Sequence, residues 1–306
     1  MSNFLDHLDD RILLCDGAMG SRVQALNLDT DKDFDGRENC TEVLNRTRPD
    51  VVRDIHLSYL LAGSDMVQTN SFGGSPITLA EFDLQDETFE LNKRAGEIAR
   101  EAIEQLAHDG RKRFVLGSIG PGTRLPSLGH IAYDPLELAL TAQAEGLIAG
   151  GVDAILIETC QDTLQIKAAV NGAKIARAKL GTNTPIAVQV TVETTGTLLV
   201  GPDIAAAATV IHALDVPLIG LNCATGPRKW RNTSSSCRKT GRAASPCSPM
   251  PACPNCWTAR PIIRSARRTG QVGAPLRSGR RHQHGGGVLR HWPRPYPRAR
   301  PDAAFD

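Results

Sequence analysis

The chain has 306 residues, and its 35 Lys+Arg against 33 Asp+Glu give a formal charge of only +2. That balance averages two unlike parts: residues 1–227 carry 18 basic and 31 acidic groups, a net of −13, and residues 228–306 carry 17 and 2, a net of +15. No apolar run approaches the ~18–20 residues of a membrane-spanning helix. The acidic start "MSNFLDHLDDR" lacks a signal-peptide core, so the expectation is a cytoplasmic protein whose eight cysteines are thiols or metal ligands rather than disulfides.

In chain order, short apolar strands are predicted at Ile12–Cys15, Asp65–Thr69, Phe114–Ser118, Ala154–Glu158, Ile186–Val192 and Leu218–Cys223. Between the first two, "TRPDVVRDIHLSYLLAG" has Pro49 where a helix begins and Gly63 just past its end. In "LNKRAGEIAREAIEQLA", Leu91, Ala95, Ile98, Ala102 and Leu106 recur every three or four residues, an apolar helical stripe. Further helices are predicted near 136–149, 163–180 and 203–214. Alternation of near-continuously apolar strands with amphipathic helices predicts a parallel sheet covered by helices. Six such units lie within residues 10–227. A (β/α)8 barrel of ~250 residues needs two more, and residues 228–306 contain nothing patterned like them. A doubly wound open sheet is the alternative fold, but no G-x-G-x-x-G follows the first strand to support a dinucleotide site.

Chemistry in parallel α/β folds collects at the carboxyl ends of strands. Those ends read "CDGAMGS" (15–21), "TNSFGG" (69–74), "GSIGPG" (117–122), "IETCQD" (157–162), "VTVETTG" (190–196) and "GLNCATGP" (220–227). Most combine polar or acidic groups with small residues that let a ligand approach the backbone. Asp16 and Glu158 directly follow apolar strands, and each suits a ligand site, a helix cap or a structural acceptor. Gly17 and Gly20 also suit a simple turn, and Cys223 a small buried apolar position.

Taken together, "DGAMGS", "NRTRPDVVRDIHLSYLLAGSDMVQTNSF", "GSIGPG", "GVDAILIETCQDTLQIKAA" and "GLNCATGP" resemble the homocysteine S-methyltransferase family, and within it the methionine-synthase branch, whose homocysteine-binding module they match in order over residues 10–227. The resemblance implies a (β/α)8 TIM barrel that moves a methyl group onto the sulfur of homocysteine. In the family, zinc held by three cysteine thiolates lowers the pKa of the substrate thiol and leaves a fourth position for it. Cys223 matches one of those cysteines; the other two form an adjacent pair in a "GGCCGT" motif. The resemblance further implies that Glu158 receives the substrate ammonium and that Asp16 orients the substrate or its zinc surroundings. It assigns the substrate carboxylate to the backbone of Gly17, Ala18 and Met19 and of Ser71 and Phe72, and places Asn222 as support at its strand end. Methylcobalamin and methyltetrahydrofolate, in this branch, bind separate modules that do not fit in this chain; the cobalamin-binding module would be a partner in a longer enzyme. A stand-alone methyltransferase using S-methylmethionine or betaine is the alternative within the family.

The sequence departs from the family after Pro227. It has no adjacent Cys-Cys pair; Cys237, Cys247, Cys253 and Cys256 are scattered, and "CPNC" lacks a partner pair at metal-site spacing. Ten of the 19 prolines and 15 arginines fall in residues 228–306, a composition that predicts a largely disordered basic segment. A change of reading frame accounts for it. Codons allowed for Arg228 onward, read two bases later, can spell an amphipathic helix; residues 280–291, read one base later, can spell Val-Gly-Ile-Asn-Met-Val-Gly-Gly-Cys-Cys-Gly-Thr, the missing pair. On this reading the chain as given is a methyltransferase module without activity. The competing reading is a basic arm that binds nucleic acid through phosphates, opposed by the absence of a recognisable binding motif and by the abrupt start inside a strand-end loop.

Overall fold

A computed structural model of the chain describes residues 4–223 and 262–264. Its elements alternate as the sequence predicts. Ahead of the sheet come α1 (Phe4–Asp10), α2 (Met19–Gln24), α3 (Leu44–Thr47) and α4 (Pro49–Leu61). Then follow β1 (Met66–Gln68), α5 (Pro76–Leu79), α6 (Thr88–Glu104), β2 (Phe114–Ile119), α7 (Tyr133–Ala149), β3 (Ala154–Cys160), α8 (Thr163–Lys179), β4 (Ile186–Val190), α9 (Ile204–Ala213), β5 (Leu218–Leu221) and β6 (Ile262–Arg264). Local chemistry sets several boundaries. Pro49 occupies the first turn of α4. Asp162 and Asp203 cap α8 and α9 by accepting from Leu164 N and Ala206 N, both at 2.8 Å.

β1 to β5 are neighbours in chain order, and each pair is parallel. A doubly wound sheet reverses its order at a switch point; this one does not, so the winding is that of a barrel. The predicted first strand is reduced to a single parallel bridge, Cys15 to Met66, supported by Asp16 N to Met66 O at 2.9 Å. With that bridge, six consecutive strand positions of a barrel are in place among the described residues, matching the six strands read from the sequence.

One strand falls where the sequence predicts none. Ile262–Arg264 pairs antiparallel with β5, Ile219 opposite Ile263. The outer edge of β5 presents N–H and C=O groups that any extended segment can satisfy, and three residues suffice. The described residues all belong to one unit, Met1–Arg267. Apart from Ile262–Arg264, the segment beyond the predicted boundary at 227/228, with the disorder expected there and any nucleic-acid arm, lies outside the described residues. Among the described residues, no helix is long and apolar enough to cross a membrane.

Side-chain parity separates two cores. Val67, Val115, Ile155, Val188 and Ile219 face the helices and pack with residues of α6, α7 and α8. Met66, Phe114, Leu116, Leu156, Ala187 and Leu218 face inward, where Phe4 and Leu5 of α1 join them. Phe4 meets Phe114 edge-on, ring centroids 5.3 Å apart. The amino-terminal end of the barrel is thus plugged with apolar side chains. Asp65 clamps this end: Arg11 binds it through two bonds of 2.9 Å, and Arg111 and Leu14 N add others at 3.0 Å. Burial alone would push the Asp65 carboxyl up, but these donors outweigh it and hold it below its ordinary value.

Candidate active site

Toward the carboxyl ends of the strands the interior turns polar. Asp16, Gln68, Ser118, Glu158, Gln189, Thr191 and Asn222 are all buried there. The reason lies in pleating: Gln68, Ser118 and Glu158 follow Met66, Leu116 and Leu156 by two residues and therefore share their inward face.

Glu158 is 3% exposed and is held from two sides, by Ser118 Oγ–H at 2.6 Å and Asn222 Nδ2–H at 3.1 Å. Asn222 also bonds Thr159, donating to its Oγ1 at 2.8 Å and accepting from its N–H at 3.1 Å. Its carbonyl accepts from Thr191 Oγ1 at 3.1 Å. Asn222 therefore ties the ends of β3, β4 and β5 together while orienting Glu158. A register irregularity between Ile157 and Cys160, with Thr159 at φ +57°, re-aims β3 at this point.

Asp16 accepts from Gln68 N at 2.9 Å and Gln68 Nε2 at 3.2 Å. Neither Asp16 nor Glu158 caps a helix: Ala18 precedes α2 and Asp162 caps α8. A Cβ at Gly17 would lie 2.6 Å from Tyr59 Oη, which donates to Ala18 O at 3.1 Å, so a larger residue there would have to displace the Tyr59 ring. Burial and the charge of Asp16 push the Tyr59 phenol above its ordinary pKa. Met19 opens α2, whose N-terminus has no side-chain cap.

The loop after β1 is anchored through its carbonyls. Asn70 O accepts from Asn45 Nδ2 at 2.8 Å, Ser71 O from Gln143 Nε2 at 2.7 Å, Phe72 O from Gly120 N at 3.0 Å, and Gly74 O from Asn92 Nδ2 at 2.7 Å. Phe72 N–H has no acceptor among the described residues. Ser71 Oγ donates to Ser118 O at 2.7 Å, linking the loop to the strand that carries Ser118. Phe72 itself is half exposed.

Four cysteines lie among the described residues, all as free thiols. Burial pushes the Cys160 thiol, followed by the charges of Glu158 and Asp162, far above its ordinary pKa, and Cys40 is pushed up to about 11, so neither supplies a thiolate. Cys223 is exposed, just past β5 at φ +58°, with Sγ 3.7 Å from Thr159 Oγ1. It is not the small buried apolar residue that its type also allowed.

The zinc implied by the resemblance does not fit the described residues. Cys223 is a single thiol, and no group of three His, Cys, Asp or Glu among them could hold a metal ion. The sequence also lacks the adjacent cysteine pair that the resemblance calls for, and Cys237, Cys247, Cys253 and Cys256 lie outside the described residues.

Sequence reasoning named Asp16, Glu158, Asn222 and Cys223 but passed over Ser118, Gln68, Thr191 and Gln189. Their only signal was a polar residue at an inward position of an otherwise apolar strand, as in "FVLGSI" or "IAVQV".

A singly wound α/β barrel with two buried carboxylates and an exposed thiol at its strand ends defines a barrel enzyme domain. The chain belongs to the homocysteine S-methyltransferase family, whose sequence model matches residues 13–264. It is 50% identical over 226 residues to a methionine synthase of Mycobacterium tuberculosis, covering 74% of this chain and 19% of that protein. It is 46% identical over 250 residues to the methionine synthase of Mycobacterium leprae, covering 82% and 20%. The chain thus spans about a fifth of the length of these curated relatives. Among solved structures, the metallated form of the homocysteine methyltransferase MmuM from Escherichia coli has a TM-score of 0.59 at 20% identity, covering 71% of this chain and 77% of that one. At that identity the likeness shows the fold.

Proposed function

We propose that this chain is the homocysteine-binding module of a methionine-synthase-type methyltransferase and that, as given, it holds homocysteine without transferring a methyl group. The observation that carries the reading is the Glu158 carboxylate, buried at the strand ends and held by Ser118 and Asn222 within a few residues of Cys223. Glu158 receives the substrate ammonium. The open N–H of Phe72 and the uncapped backbone at Gly17, Ala18 and Met19 receive the carboxylate, with the Ser71 hydroxyl fixing the loop. Asp16 stiffens the first strand end against β1 and sets where the substrate chain can pass. Asn222 acts by orienting Glu158.

The substrate sulfur then lies toward Cys223. A free thiol is mostly protonated at neutral pH and a weak nucleophile. One thiol in place of a three-thiolate set supplies no activation. Zinc chemistry, with Cys223 as one ligand, belongs to a chain that carries the cysteine pair. Methylcobalamin and methyltetrahydrofolate belong to further modules of a longer protein. The protein is read as cytoplasmic.

Calorimetry with L-homocysteine, alongside zinc analysis and a methyl-transfer assay, tests this. The chain as given is expected to bind homocysteine, to hold substoichiometric zinc and to transfer no methyl group. A chain recoded in the shifted frame after Pro227 is expected to hold one zinc and to gain transfer. Stoichiometric tight zinc in the chain as given, or no homocysteine binding, overturns the reading.

A further inference from the structure

Gln189 is a buried polar side chain of the barrel interior that the proposed function leaves unused. It lies on β4 between Val188 and Val190, which both face the helices, while Ala187, two residues earlier, belongs to the inner core. Parity therefore turns Gln189 inward. It is 1% exposed, and its amide oxygen has no hydrogen-bond partner among the described residues. Leaving a buried amide oxygen unsatisfied is costly, and native interiors satisfy nearly all such groups.

The surroundings explain why neighbouring strands leave it open. On β5 the residue opposite Gln189 is Gly220, which has no side chain. On β3 the ladder is interrupted between Ile157 and Cys160, so Glu158 and Thr159 stand across from Gln189 without regular pairing. One pleat further on, Thr191 and Asn222 bond to each other and Asn222 to Glu158 and Thr159, a network that does not include Gln189. The barrel thus holds an uncommitted amide oxygen on the same inner face as the Glu158 carboxylate.

We propose that Gln189 is a specificity-determining residue, its amide oxygen accepting a hydrogen bond from the α-ammonium of an amino-acid substrate that Glu158 also receives. The pairing suits a single positive charge: one carboxylate neutralises it, and a neutral amide takes a further N–H without adding a second negative charge. This rests on the reading of the site as a homocysteine site and adds which residue selects the α-amino group. A site that commits a buried acceptor to a substrate N–H discriminates strongly against an analogue lacking it.

The test compares L-homocysteine with 4-sulfanylbutanoate, the same thiol acid without the ammonium, by calorimetry on the full 306-residue chain and on Gln189→Leu and Gln189→Met. The parent is expected to prefer homocysteine. Both variants are expected to lose about ten- to a hundredfold in homocysteine affinity, to bind 4-sulfanylbutanoate within about twofold of the parent, and to melt no lower than the parent without ligand. Equal loss for both ligands, unchanged homocysteine affinity, or unfolding of both variants overturns the assignment of Gln189 alone, since the parent still binds homocysteine. Failure of the parent to bind homocysteine at all overturns the homocysteine reading and this inference together.

Discussion

Halfway along its strands the barrel interior holds Met66, Leu116, Leu156 and Ala187; one pleat further on it holds Gln68, Ser118, Glu158 and Gln189. The same strands, on the same face, change from apolar to polar in a single step of two residues. The lower end can be filled by non-directional packing, so α1 simply inserts Phe4 and Leu5. The upper end buries carboxylates and amides, so nearly every group must be bonded in a stated direction. The first region is built for packing, and the second is where the proposed function puts ligand recognition.

The largest expected effect separates the two regions. Phe114→Ala removes the ring that Phe4 and His7 both meet edge-on and should cost about 3–5 kcal/mol of stability, measured by urea denaturation, with homocysteine affinity unchanged in the fraction that stays folded. Loss of affinity without loss of stability would break the comparison.

His56, on α4, is a buried polar group outside both regions, its two ring nitrogens without partners among the described residues. Burial pulls its pKa down from 6.5 to about 4. Between those values the unfolded chain binds a proton that the folded chain refuses. Stability is therefore full above about pH 6.5 and falls, by up to about 3 kcal/mol, as pH drops toward 4. His56→Leu should flatten that part of a stability-against-pH curve; an unchanged slope assigns the acid sensitivity elsewhere.

In the upper region, Glu158→Gln keeps the shape and removes the charge. Homocysteine affinity should fall by about 30- to 100-fold, with the melting temperature held near that of the parent. Ser118→Ala removes a donor that holds Glu158 and should weaken binding by about fivefold, a cost near 1 kcal/mol. A larger effect from Ser118→Ala than from Glu158→Gln would mean that the polar layer serves packing rather than recognition.

Much of this was legible in the chain. Helix and strand positions followed from periodicity and punctuation: Pro49 began α4, and the stripe from Leu91 to Leu106 fell on α6 as far as Ala102, with Leu106 just past its end at Glu104. The strand-end motifs led to Asp16, Glu158, Asn222 and Cys223 because chemistry in this architecture has a fixed address. The inward, buried placement of Ser118 and Gln189 was not legible, since one polar residue in a strand does not reveal what stands across the ladder.

By itself the sequence determined the order of elements, the apolar and polar faces of each, the family and the missing cysteine pair, because these depend on residue identity and short-range period. Only the tertiary structure decided that the sheet winds in one direction, that the strand-end support given by Asn222 is a bond to Glu158, and that Gln189 faces the interior with its oxygen open. Those outcomes depend on which strand end arrives beside which, and residues 64 apart, such as Glu158 and Asn222, meet only when the barrel brings them there.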